Sequence, residues 1–182
     1  MKAIIALGLF FAFSATAEAG DACEPLIPAA LKAAITSRFS GYRLPRESDN
    51  LPEDIKAAKE YGESGCLGVT KADFDGDGTP DYVIALTALR GPGALIVVAL
   101  ASGSGWTFHK LDVWEKYRSR LYVEARPPGT YDDVGDGDGP LEKGQVEHLR
   151  CPHSVAVFGL TESSGVAFCL LGSTWKHAWI SD

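Results

Sequence analysis

Residues 155–180 read VAVFGLTESSGVAFCLLGSTWKHAWI, three short runs (155–160, 166–171 and 175–180) rich in β-branched and aromatic residues. Only residues 161–165 and 172–174 separate them, and turns that short join neighbouring antiparallel strands. The last third of the chain is therefore expected to be a meander. Upstream, further β-rich runs bounded by Gly, Pro and Asp cover 67–70, 82–89, 94–101, 106–111 and 121–125. Residues 126–144, crowded with Pro, Gly and Asp and poor in apolar anchors, are expected to be the least ordered stretch. Before Gly65 the pattern is helical. Leu26, Ile27, Ala30, Leu31, Ala34, Ile35 and Phe39 recur at three- and four-residue steps, which predicts a helix over 25–39 ended by Gly41. A second, shorter helix is signalled by Asp49 or Asn50 as cap, Pro52, Glu53 and Asp54 in the first turn, and Gly62 as stop. The expected class is α+β, with N-terminal helices packed on a mainly antiparallel β-sheet.

Composition narrows the compartment and the partners. The chain has 182 residues, 46% of them hydrophobic and 23% charged, with a formal net charge of −7. This is a globular composition, and its acidity argues against an electrostatic grip on nucleic acid or a polybasic attachment to membranes. Residues 1–19 have the build of a secretory signal peptide: Lys2, an apolar run over 3–13, then small and polar residues ending at Ala17 and Ala19. The apolar run is too short for stable membrane insertion. The expected mature protein is a single domain over 20–182, exported to the periplasm, with secretion beyond it as the other destination. Cys23, Cys66, Cys151 and Cys169 all remain, and an even number of thiols in an exported chain reads as two disulfides. Of three connectivities, Cys23 with Cys66 and Cys151 with Cys169 is favoured, because the second pair flanks an apparent hairpin whose strands would lie side by side. Zinc ligation by the four thiols is disfavoured by their wide spacing and the lack of a CxxC pair.

The run DFDGDGTPD, residues 73–81, places Asp73, Asp75, Asp77 and Asp81 immediately before a strand. Four adjacent carboxylates repel one another, and a hard divalent cation relieves the repulsion. Ca²⁺ suits the pattern because it accepts six to eight oxygen ligands in a flexible shell. With Asp73 as position 1, Asp75 and Asp77 fall at 3 and 5, Gly78 at the turn, the Thr79 carbonyl at 7 and Asp81 at 9. Position 12 is Ile84, where a helix–loop–helix calcium site needs a bidentate Glu, so the loop is expected between two strands instead.

The run ADFDGDGTPDYVIAL resembles the DxDxDGxxD loop and following strand of FG-GAP and VCBS-type repeats, including the blades of integrin α-chain propellers. The resemblance covers about 15 residues in a single copy, so a propeller is not implied. Closer in plan are small exported bacterial proteins that carry one such loop between two strands and end in an aromatic strand closing on Ser-Asp, as Trp179, Ile180, Ser181 and Asp182 do here. That likeness implies calcium held by the aspartates and one backbone carbonyl. By analogy with such relatives it also implies an immunity protein or inhibitor against a toxin or hydrolase, for example a secreted lipase-type effector.

A second acidic run, Asp132, Asp133, Asp136 and Asp138, has its alternation broken by Val134 and reads as an acidic loop, able to bind metal weakly or face a basic partner. No GxSxG, HExxH, GxGxxG or phosphate-loop pattern occurs. The four histidines are scattered, and His109 and His177, alternating with apolar residues, are expected to face solvent. Three functions compete: a stoichiometric protein binder with calcium as its cofactor and no catalysis, a calcium-dependent envelope or adhesion module, and a small hydrolase whose site is not visible in one dimension.

Overall fold

The computed structural model describes residues 20–103, 105–135 and 140–180, so residues 1–19, where a signal peptide is expected, and Asp136, Asp138, Ser181 and Asp182 lie outside the described residues. The architecture follows from two strands that are apolar on both faces. β3 (Asp81–Ala88) and β4 (Ala94–Ser102) are buried along nearly their whole length. Their side chains alternate between two cores: Tyr82, Ile84, Leu86, Leu95, Val97 and Ala99 face one, while Val83, Ala85, Ala94, Ile96, Val98 and Leu100 face the other. Both faces must be covered.

The first face is covered by α1 (Ala29–Arg38), through Leu31 and Ile35, with Ile27 and Phe39 on either side of the helix. The predicted helix over 25–39 is interrupted: residues Glu24–Leu26 form a 3₁₀ turn, and Pro28 stands at the N-cap of α1. β1 (Tyr42–Arg43) and β2 (Val69–Ala72) pair with opposite ends of the same edge of β3. β5 (Gly105–Trp114) pairs with β4, its register shifting at Ile96/Val97, and completes a five-stranded antiparallel sheet. The Cys23–Cys66 disulfide ties the residues before α1 to those before β2, Cα atoms 4.9 Å apart.

The second face is covered by another sheet. β6 (Leu121–Arg126), β9 (Val155–Leu160), β10 (Gly165–Leu171) and β11 (Thr174–Ile180) form a four-stranded antiparallel sheet in the order β11-β10-β9-β6. Leu121, Val123, Ala156, Phe158, Val166 and Phe168 enter the core between the sheets. The expected C-terminal meander is present with nearly the expected bounds as β9, β10 and β11 of this one sheet, while the earlier strands β1 to β5 form the other, stacked sheet.

The outer face of the second sheet carries Val155, Val157, Ala167, Cys169, Ala178 and Ile180, and it too is covered. β7 (Gly129–Asp132) and β8 (His148–Cys151) form a two-stranded ribbon whose Leu149 and Cys151 join that core, with Tyr131 against it. The ribbon continues the β6/β9 pair: Arg126 is opposite Val155 and Gly129 opposite Cys151. Pro127, Pro128 and Pro152 stand at the bend, where residues without an N–H cannot continue the ladder. The Cys151–Cys169 disulfide pins ribbon to sheet. Residues 126–144 are thus not simply a loop, since their first part forms β7, which lacks a run of apolar residues and is held by its partner strand and by Tyr131.

The N-terminal elements are joined to the sheets by a buried polar hub. Asp49 accepts a forked pair of bonds from the Arg43 guanidinium, along with bonds from the Arg46 amide and the Thr87 hydroxyl. Arg118, 5% exposed, donates from Nε to Thr87 and from Nη1 to Asn50, while its Nη2 stands 3.5 Å from Asp49. Asn50 donates to the Leu121 carbonyl at 2.8 Å. Neither Asp49 nor Asn50 caps α2 (Pro52–Glu60) as expected; Leu51 occupies that position without a side-chain cap, because both polar residues are taken by distant partners.

Asp49 is pulled by opposing effects. Burial pushes its carboxyl up, but bonds from Arg43, Arg46 and Thr87 and the Arg118 charge outweigh it and hold the pKa below the ordinary 3.8. The stabilisation this confers is complete above pH 3.8 and is lost as pH falls through the lower folded value. Asp49→Asn should flatten that acid limb when urea midpoints are measured against pH. Asp49→Ala, which strands the Arg118 charge, should cost about 3–5 kcal/mol at neutral pH.

Candidate metal centre

The turn between β2 and β3 is organised by its own aspartates. Asp73 Oδ1 accepts the Gly76 amide at 2.7 Å and Oδ2 accepts Gly78 at 3.0 Å. Asp75 accepts Asp77 N–H, and Asp77 accepts Thr79 N–H. Such Asx bonds close successive tight turns, and Gly76 (φ 82°) and Gly78 (φ 85°) supply the left-handed backbone the turns require. The carboxylates of Asp73, Asp75 and Asp77 converge, each offering an oxygen within 4.8 Å of the others. Among the described residues no salt bridge to a Lys, Arg or His engages any of the three. The Thr79 carbonyl accepts no backbone hydrogen bond among the described residues.

Asp81 is placed differently. It is fully buried at the start of β3, where Oδ2 accepts the Phe74 amide at 2.9 Å and Oδ1 the Ala101 amide at 2.8 Å. Its carboxylate therefore clamps the loop to the far end of β4 and lies outside the converging group. Burial pushes its pKa up, the two amides oppose this, and the negative charges of Asp75 and Asp77 add to the rise. Asp73 goes the other way. Burial would raise it, but amide bonds from Gly76, Gly78, Asp75 and Asp77 outweigh that and lower it. The loop thus keeps three charges together while a fourth carboxylate fixes it to the sheet. Chemically, Asp73, Asp75 and Asp77 offer a hard, anionic, oxygen-only donor set, the kind that suits Ca²⁺ or Mg²⁺.

Two supports of this loop have no signal in the sequence. The Ala101 amide reaches Asp81 only through the β3–β4 register. His153 lies beneath Gly76, where an added Cβ would stand 3.4 Å from its Cδ2, and the Ser154 amide bonds the Asp73 carbonyl. The ring of His153 faces the carbonyls of Leu170 (Nε2, 2.9 Å) and Ser154 (Nδ1, 3.3 Å).

The other histidines are each engaged. His148 pairs with exposed Asp132 at 2.8 Å. His109 and His177 do not face solvent as expected. His109 tilts against Trp175 and His177 stacks on Phe168, both half-buried at the rim of the inter-sheet core, and burial lowers both pKa values. In the second acidic run, Asp133 accepts the Trp179 amide and the Gln145 side chain and so serves the edge of β11, and it belongs to no cluster of three or more such groups among the described residues.

Two disulfides, with no free cysteine, belong to an oxidising, exported environment. No helix among the described residues is long and apolar enough to cross a membrane. Comparison with protein-family models, curated proteins and solved structures finds no match.

Asp81→Asn should be destabilising in metal-free buffer, because its amide NH₂ would face one of the two backbone N–H groups that the carboxylate now accepts. The expected loss is about 2–4 kcal/mol by urea denaturation, of the size found when a buried hydrogen-bonded charge is disrupted. A loss below about 0.5 kcal/mol would mean that Asp81 is not the clamp described.

Proposed function

We propose that this protein is an exported calcium-binding protein that acts by stoichiometric binding to another protein, as an immunity protein or inhibitor of a toxin or hydrolase that works in the periplasm. In this reading residues 1–19 are a cleaved leader, and Ca²⁺ is held by Asp73, Asp75, Asp77 and the Thr79 carbonyl. Asp81 fixes the loop from behind and contributes to the shell only by sharing oxygens already bonded to amides. The observation that carries the calcium reading is the convergence of three carboxylates that, among the described residues, form no salt bridge. An uncompensated cluster of this kind gains most from a hard cation.

Calcium here has a structural role. The loop joins β2 to β3, and β3 is the strand on which both cores meet, so a cation that quiets the loop stabilises the central hairpin. The binder reading draws on the way the polar groups are used: each histidine is engaged in packing or in a bond to a carbonyl or carboxylate. It draws also on the acidic net charge, which suits a basic partner surface.

At millimolar Ca²⁺ and a dissociation constant near ~0.1 mM, linkage contributes about 1.4 kcal/mol, a rise of a few degrees in Tm over chelator. Asp75→Ala should abolish that increment while leaving the chelated Tm close to wild type. Equal melting in calcium and chelator, with no bound metal by elemental analysis, would remove the calcium reading. If a toxin is the partner, the mature protein should block it at one-to-one stoichiometry, and Asp77→Ala should lose potency only as far as it loses stability. Turnover of a substrate at sub-stoichiometric protein, abolished by a single histidine substitution that leaves the fold intact, would overturn the binder reading.

A further inference from the structure

We propose that Cys151, His153 and Cys169 form a second metal site that exists only when their disulfide is open, taking a soft or borderline divalent cation such as Zn²⁺. The donor atoms of the three residues lie within 4.8 Å of one another, and His153 Nδ1 stands 3.6 Å from Cys151 Sγ. Ligands around a tetrahedral zinc bound at ordinary Zn–S and Zn–N lengths stand roughly 3.5–3.8 Å apart, so His153 already has the spacing the site needs. The two strand positions, 5.8 Å apart at Cα, can hold their sulfurs either bonded or parted about a cation.

His153 is also oriented as a ligand. Its Nε2 is 2.9 Å from the Leu170 carbonyl, whereas Nδ1 is 3.3 Å from that of Ser154. A neutral imidazole carries one ring proton, and the shorter contact takes it. The Nδ1 lone pair is then left toward Cys151, with the other nitrogen anchored on a backbone carbonyl as metal-bound histidines usually are. Both sulfurs are shielded, with Cys169 fully buried and Cys151 5% exposed, while His153 is half-buried. Cys23–Cys66, by contrast, belongs to no such group among the described residues.

The chemistry is balanced by a dithiol reductant. It is oxidised to its own disulfide and delivers two electrons and two protons, converting Cys151–Cys169 into two thiols. The cation then displaces both thiol protons, forms two metal–sulfur bonds and one bond to Nδ1, and keeps water in its fourth position. Disulfide and cation exclude each other. The loaded site would lie directly beneath the aspartate loop, because Gly76 rests on the His153 ring.

Cobalt is the probe, since its sulfur-to-metal charge-transfer absorption reports thiolate ligation. The full mature chain is reduced, freed of reductant without air, and titrated with Co²⁺ and then Zn²⁺. One equivalent of Co²⁺ should give the charge-transfer band, Zn²⁺ should displace it, and the oxidised protein should show none. Cys151→Ser/Cys169→Ser, which retains Cys23 and Cys66, should lose the band. His153→Ala should weaken binding by about tenfold or more, at least the loss that removal of an outer partner alone causes. The proposal fails if reduced wild type stays folded by circular dichroism yet gives no band, or if the band survives in the double serine variant. It fails equally if His153→Ala binds as tightly as wild type, or if reduction unfolds the chain, because the site needs the folded strands.

Discussion

Everything in this molecule is arranged around the fact that β3 and β4 have no polar face. A hairpin with Tyr82, Ile84, Leu86, Leu95 and Val97 on one side and Val83, Ala85, Ile96 and Val98 on the other cannot lie at a surface. Covering the first side takes a helix and covering the second takes a sheet. That sheet has a second apolar face of its own, which requires the ribbon. The result is four layers, helix, sheet, sheet and ribbon, each present because the one before it left apolar area bare. Only at the ribbon does the succession end, since Asp132, His148 and Arg150 on its strands are exposed.

Much of this was legible in the chain. The strands at 82–89, 94–101, 155–160, 166–171 and 175–180 announce themselves by composition, and the observed bounds differ by a residue or so. The disulfide pairing was legible too, because Cys151 and Cys169 flank a visible hairpin. The division into two sheets was not: a strand apolar on both faces has no alternation to show which face meets which layer. β1 and β7 were equally hidden, being short strands that exist through their partners and not through their own residues. The misread cap of α2 has the same origin. Asn50 is a good capping residue locally, but its amide is worth more on the Leu121 carbonyl, 71 residues away.

The site divides along the same line. The Asp73, Asp75 and Asp77 spacing with two glycines is a local pattern, and the local geometry is what forms. Asp81 looks like one more member of the series. It stands, however, at the first position of a buried strand, so its surroundings are set by the sheet: two backbone amides, one from Phe74 and one from Ala101. A carboxylate next to a wholly apolar strand is a sequence sign of burial, and that sign outweighs its place in the spacing.

The layering also fixes an order of exposure during synthesis. A chain made from its N-terminus has the helix and β1 through β5 available once Trp114 has emerged, and those pairings are local enough to form at once. The inner face of that sheet then has nothing to rest on until Leu121, Phe158 and Phe168 arrive more than fifty residues later in the case of the last. During that interval Val83, Ile96 and Val98 form an open apolar surface flanked by the free strand β5. The nascent protein is thus most vulnerable to association with its neighbours when its first half is already well folded, and completion of the second sheet is what closes that window.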